Sequence, residues 1–181
     1  IPDAQESRGL GDVYKRQNPI SVYGKTKLYG ENLVQESDLD WVILRSNIIF
    51  SYNDRTKASF VNWVVESLKN RKLITVVNDQ WNNPTWTNDL ANVISMIIDK
   101  DIVGLYHYGG KDFMNRFEFA KMIALAFGLD QTLIEPIATT ELNWLAQRPL
   151  KSGLYTNKIE LDLGIEALPI KKALDKMVSL L

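Results

Sequence analysis

The chain has no cysteine and a single histidine, His107. The first absence excludes disulfides, a thiolate nucleophile and any cysteine metal site. The second excludes a multi-histidine metal site, so no metal is expected. No apolar run reaches the roughly 20 residues of a membrane span. The start of the chain is no signal peptide either, because Asp3, Gln5, Glu6 and Arg8 interrupt any apolar region. An excess of either charge is also lacking: 21 basic residues stand against 22 acidic ones, for a formal net charge of -1. That balance gives no support to a nucleic-acid partner or a polybasic membrane surface. The set suits a cytoplasmic protein. No internal repeat and no low-complexity tract is present, and 181 residues suffice for one domain with a sizeable core.

What is present centres on residues 18–31, NPISVYGKTKLYGE. Tyr23 and Lys27 are four apart, so a helix starting near Tyr23 puts both on one face. An ammonium close to a phenol favours the charged form, which lets such a pair pass a proton near neutral pH. A bare Tyr-x-x-x-Lys is common and more often just spans a solvated helix turn. The spacing predicts a helix from Tyr23 to about Gln35, with Tyr23, Lys27, Gly30 and Val34 on one face. Leu28, Tyr29 and Leu33 supply its apolar contacts. Gly30 costs helix propensity there, which a close approach by a neighbouring element would explain.

Residues 1–17 lack a sustained period of either kind. Gly9-Leu10-Gly11 is not a dinucleotide fingerprint, since the third glycine and the strand–helix context are absent. We expect 1–17 to be an artefactual or disordered leader.

Trp41 to Arg45 reads as a buried parallel strand, with Ser46, Asn47 and Ile48 at its C-terminal end, where open sheets bind ligands. Residues 59–70 form a helix and 73–77 a strand. Next comes NDQWNNPTWT, residues 78–87, a turn with buried tryptophans on the plainest reading. Thr87 or Asn88 caps a helix striped by Leu90, Val93, Ile94, Ile97 and Ile98. Gly104–Gly110 is a strand with a glycine turn. In it His107 reads as a structural imidazole rather than a base, since nothing nearby completes a relay. Residues 116–127 form a helix ended by Gly128, 134–137 a short strand, and Thr139–Leu142 starts a small helix. Pro169 opens the last helix. Arg148, in an Arg-Pro loop, is either a phosphate contact or a loop-anchoring ion pair. Arg45 is either a cofactor-side residue or an anchor for its strand end.

The segment from Asn18 to Glu31 resembles the active-site helix of the extended short-chain dehydrogenase/reductase family. Residues 79–85 resemble the Asp-Gln-x-Gly-x-Pro-Thr loop of its dTDP-4-dehydrorhamnose reductase (RmlD-like) branch, with Asn82 in place of the glycine. Asp89-Leu90-Ala91, Phe117-Glu118-Phe119-Ala120 and the Arg148-Pro149 loop also match. The resemblance covers about 18–181 and corresponds to the C-terminal half of such a reductase. It implies an α/β fold: the C-terminal portion of a doubly wound Rossmann-type parallel sheet, interleaved with a substrate-binding α/β portion. The N-terminal Rossmann half, with its glycine-rich loop and catalytic Ser/Thr, is expected to be missing.

For the full-length parent the resemblance implies NADPH- or NADH-dependent reduction of a nucleotide-linked 4-keto-6-deoxy sugar. Tyr23 would donate the proton and Lys27 hold the nicotinamide ribose. Arg45, Ser46 and Asn47 would complete the cofactor side, and Ile48, Asn83, Pro84, Thr85 and Arg148 the substrate side. Ile48 stands where the branch carries an aromatic, which bears on the choice of sugar. A homodimer of the full-length protein is allowed. The alternatives are a nucleotide-sugar epimerase or dehydratase of the same superfamily, and a non-catalytic protein like the methionine adenosyltransferase regulatory subunit. The fragment alone is expected to be inactive.

Overall fold

The computed structural model describes residues 19–53, 59–143, 146 and 148–181. The expected leader over 1–17 lies outside these. Helix α1 spans Val22–Gln35. It starts where Ser21 Oγ accepts the Gly24 amide at 3.1 Å. Pro19 lies against the same turn: a Cβ on Gly24 would sit 2.8 Å from Pro19 Cβ. The glycine after the tyrosine is therefore set by packing.

Strand β1 (Val42–Arg45) pairs in parallel with β6 (Gly104–His107), which puts Arg45 beside His107. The short β2 (Ile49–Phe50) pairs in parallel with β5 (Thr85–Trp86), and β3 (Ile74–Val77) with β8 (Ile134–Ile137). One pair is antiparallel, β4 (Trp81–Asn82) with β7 (Met114–Asn115). The expected α/β fold with parallel pairing is present in three of these four pairs, and the antiparallel pair makes the sheet structure mixed. Strands of two to four residues pair in twos among the described residues, and one pair reverses direction. The reversal has a local cause, since β4 and β5 flank the Asn83-Pro84 turn and face different partners.

The other helices are α2 (Phe60–Lys69), α3 (Thr87–Asp99), α4 (Arg116–Ala126), α5 (Asn157–Leu163) and α6 (Ile170–Ser179). Single 3-10 turns at Gln131–Leu133 and Thr139–Glu141 bracket β8. Two apolar clusters hold these layers together. The larger joins α2, β3, α4 and α6 through residues such as Val64, Phe119, Ile123 and Leu174. The smaller joins α3, β6 and α5 through Val93, Tyr106, Tyr108 and Ile159. Tyr108 is buried and its hydroxyl donates to Asp89. Burial first, and the Asp89 carboxylate second, raise its pKa above the usual phenol value.

Several helix starts differ from the sequence expectation. Neither Thr87 nor Asn88 caps α3; Thr87 Oγ1 instead donates to the Phe50 carbonyl at 2.8 Å, tying the helix to β2. α4 begins with a capping box in which Asn115 and Glu118 each accept the other's amide, a signal present in the sequence as Asn-x-x-Glu. α6 follows Pro169 as expected, and its first amide is taken by the distant Asp112 side chain at 2.6 Å. Gly128, at φ +64°, ends α4 in the left-handed region. Asn82 needs no such conformation, because it lies in extended β4. No helix among the described residues is long and apolar enough to cross a membrane.

Candidate active site

Tyr23 and Lys27 lie on one exposed face of α1, with Lys27 Nζ 5.6 Å from the centre of the Tyr23 ring. Tyr23 is 70% exposed, so its hydroxyl is open to a ligand. α1 buries no residue. Tyr29 and Leu33, expected to supply apolar contacts, are exposed. No atom comes within 4 Å of a Cβ added at Gly30, so the expected close approach does not occur among the described residues. The helix is fixed to the body by a polar clamp instead. Arg45, at the end of β1, donates from Nε to Glu31 Oε1 at 2.8 Å and from Nη2 to Glu31 Oε2.

The third arm of Arg45 reaches His107 Nε2 at 3.1 Å. An arginine can only donate, so Nε2 accepts and the ring proton belongs on Nδ1. Nδ1 is buried with no hydrogen-bond partner among the described residues. Burial, then the Arg45 cation, lowers the His107 pKa to about 4, against a smaller opposing pull from Glu31. A neutral, buried imidazole agrees with the structural role expected of it. With all three arms engaged, Arg45 favours the anchoring reading over direct contact with a ligand.

Past Arg45 the chain bends sharply. Ile48 has φ +44°, in the left-handed region that β-branched residues rarely enter. The Thr85 amide donates to its carbonyl at 3.1 Å, and its side chain packs against the larger apolar cluster. Asn47 Nδ2 donates to the Ser152 carbonyl, while Asn47 Oδ1 is buried and has no partner among the described residues. Ser46 Oγ lies 3.4 Å from Thr85 Oγ1. The fold thus gathers Arg45, Ser46, Asn47, Ile48 and Thr85 at the C-terminal end of β1.

Asn83, Pro84 and Thr85, expected on the substrate side, face into the body of the chain. All three are buried. Asn83 donates to the carbonyls of Gly110 and Asp112 and accepts the Leu154 amide. Thr85 Oγ1 donates toward the Asn47 and Asn83 carbonyls. A Cβ on Gly110 would sit 2.1 Å from the Pro84 carbonyl oxygen, so two backbones meet there. The side chains of Asn83 and Thr85 thus join three segments of the chain.

Arg148 lies elsewhere, on a cavity of about 330 Å³ also lined by Phe60, Trp63, Gln80, Arg116 and Leu142. The sequence reading passed over Arg116, although its place directly after the capping residue Asn115 was legible. Among the described residues no group of three His, Cys, Asp or Glu side chains could hold a metal ion.

A family model described as the RmlD substrate binding domain matches residues 11–181. The dTDP-4-dehydrorhamnose reductase of Aggregatibacter actinomycetemcomitans is 32% identical over 168 residues, covering 87% of this chain and 56% of that protein. Methionine adenosyltransferase 2 subunit beta of Danio rerio is 30% identical over 164 residues, with 87% and 51% covered. The crystal structure of a dTDP-4-dehydrorhamnose reductase ortholog from Clostridium acetobutylicum has 33% identity and a TM-score of 0.83, over 92% of this chain and 58% of that one. The enzyme of that name from Bacillus anthracis, in complex with NADP, has 28% identity and a TM-score of 0.84, with 93% and 58% covered. The chain spans about half the length of the curated relatives it matches.

Proposed function

The chain belongs to the RmlD substrate-binding-domain family, and from that premise we propose that it is the catalytic-helix and substrate-binding part of an NAD(P)H-dependent sugar-nucleotide reductase. The observation that carries this reading is the Tyr23–Lys27 pair on an open helix face, with Lys27 Nζ 5.6 Å from the phenol ring. Tyr23 donates its hydroxyl proton to the C4 carbonyl oxygen of a nucleotide-linked 4-keto-6-deoxy sugar. Lys27 stands beside it as a cation that can donate to ribose hydroxyls. The residues fit the nicotinamide end of the cofactor: a phenol and an ammonium are exposed together, and Asn47 Oδ1 at the end of β1 is a buried acceptor with no partner among the described residues. NADH or NADPH, when bound, supplies the hydride. Tyr23, Lys27, Ser46 and Asn47 would hold it, with Arg45 keeping β1 and α1 in place. Ile48 and Arg148 are the substrate-side residues, at the bend after β1 and on the cavity.

The phosphate grip of the dinucleotide is assigned to sequence outside this chain, because no Gly-x-Gly-x-x-Gly occurs within it. We therefore expect the 181-residue chain alone to be inactive. Calorimetric titration with NADH and NADPH, beside a turnover assay on 4-keto-6-deoxy sugar nucleotides, checks this. Micromolar binding together with turnover would overturn it. In the full-length parent, Tyr23→Phe should lower kcat by about 10²–10⁴-fold with cofactor affinity nearly unchanged. Equal turnover in that variant would sink the assignment of Tyr23.

A second reading is supported by the comparable identity to methionine adenosyltransferase 2 subunit beta. In it the same fold serves partner binding. A folded parent that binds NADPH, reduces no keto sugar and co-purifies with a methionine adenosyltransferase would favour that reading.

A further inference from the structure

Glu31 lies four residues after Lys27 and is the one carboxylate in α1. A lysine and an acid at this spacing are neighbours on a helix face and attract each other. The same order closes elsewhere in the chain: in α6, Lys171 Nζ lies 2.7 Å from Asp175 Oδ2, four residues on. Lys69 of α2 likewise reaches its local acid, Glu66, at 3.7 Å. Lys27 is exposed as these lysines are, yet among the described residues it forms no ion pair. Its acid is engaged from the other side. Both Glu31 oxygens accept from Arg45, one from Nε at 2.8 Å and one from Nη2. A guanidinium and a carboxylate match edge to edge in such a two-bond pair, against which a single ammonium competes poorly. The Arg45 and Glu31 side chains are each 17% exposed, so water and salt screen them less than the open α6 pair. His107 Nε2 accepts from Arg45 Nη1 and orients the fork without adding charge to it.

We propose that Arg45 is a positioning residue that acts on Lys27 through Glu31. By holding the carboxylate at the end of β1, it keeps the Lys27 ammonium available to a ligand beside Tyr23. Without Arg45, Glu31 turns to Lys27 as Asp175 does to Lys171, and the reactive face loses its cation to an internal pair. The clamp therefore sets the charge of that face as well as the place of the helix. That the ammonium serves a proton donor and a ribose rests on the function proposed above; the diversion of Glu31 does not.

The test is trace acetylation of the 181-residue chain, with each lysine read by mass spectrometry. An ammonium held by a carboxylate gives up its proton less readily and is acetylated more slowly. Lys25 is the reference, because it lies in the same helix with no acid three or four residues away on either side. Arg45→Met should lower the ratio of Lys27 to Lys25 labelling about twofold, the scale of a helix pair at this spacing. Arg45→Met/Glu31→Gln should restore it. A helix that merely loosens would speed both lysines together and leave the ratio alone. No fall in Arg45→Met, or a fall that Glu31→Gln does not reverse, overturns the proposal. Because Arg45→Met can disturb folding, a second comparison leaves Arg45 in place. Glu31→Gln alone should leave the ratio unchanged, with the rise of Lys171 labelling in Asp175→Asn as the measure of a released pair. A twofold rise at Lys27 in Glu31→Gln would show that Glu31 already pairs with Lys27, and overturns the proposal as well. Neither ketone nor cofactor enters the assay, so a failed diversion and a failed reductase reading are told apart.

Discussion

Helices α1 and α2 are built on opposite principles. α2 buries Val61, Val64, Val65 and Leu68 and belongs to the larger core. α1 buries nothing and belongs to neither core. Yet α1 carries the tyrosine and lysine on which the proposed chemistry depends. It is held by a cap, a proline against a glycine, and the Arg45–Glu31 clamp. Hydrophobic burial builds the body of the chain, whereas polar contacts aim the reactive pair. Damage to one region should therefore spare the other.

The strongest way to break that separation is to attack the core. Phe119 is 1% exposed, stacks on Phe60 and meets Phe50 edge-on. Phe119→Ala should cost about 3–5 kcal/mol in chemical denaturation. Hydrogen exchange in α1 should rise only as the whole chain unfolds; a selective rise in α1 would show that the two regions are not independent.

Next comes pH, which acts at the seam between them. His107 is buried with a pKa lowered to about 4, against about 6.5 unfolded. The unfolded state takes up the proton first, so the contribution is fully present above about pH 6.5 and is lost as pH falls towards 4. The loss is about 3 kcal/mol, seen as the difference between wild type and His107→Gln across that window. Parallel pH profiles for the two proteins would remove His107 from the account.

A smaller effect sharpens the contrast. Glu31→Gln keeps the shape of the clamp and removes its charge. The side chains of Arg45 and Glu31 are each 17% exposed, so we expect a loss of about 1–2 kcal/mol, confined to α1 in hydrogen exchange. Protection lost evenly across α2 and α4 as well would contradict the division. The smallest effect is a gain. No atom of the described residues lies within 4 Å of a Cβ added at Gly30 inside α1, so Gly30→Ala should stabilise this chain by up to about 1 kcal/mol.

Much of this arrangement was legible in the sequence. The span of α1, the stripes of α2 and α3 and the strands at 42–45, 74–77 and 134–137 follow from periodicity and turn residues alone. So does the shared face of Tyr23 and Lys27, because it is local. Apart from the start of α3, what was not legible is long-range. Nothing near Asn83 announces that its amide will be used by Gly110, Asp112 and Leu154. The loop is a structural knot whatever else it does, and its composition does not say so. Arg116 and Arg148 are far apart in the chain, and only folding brings them to one cavity. The exposure of Tyr29 and Leu33 was equally hidden, since amphipathic spacing tells which residues share a face and not whether anything covers it.

The bend at Ile48 has a consequence for how such a site can change. Its carbonyl is held by Thr85 and its neighbour Asn47 by Ser152, so the path of the main chain is set from outside the residue. The side chain at 48 is then a nearly free choice made on a prepaid backbone. Glycine or asparagine would relax the left-handed turn but give up the apolar contact. An unbranched aromatic would ease the crowding at Cβ and extend the reach of the side chain. A single codon can thus redraw what lies at the end of β1 while every strand stays in register.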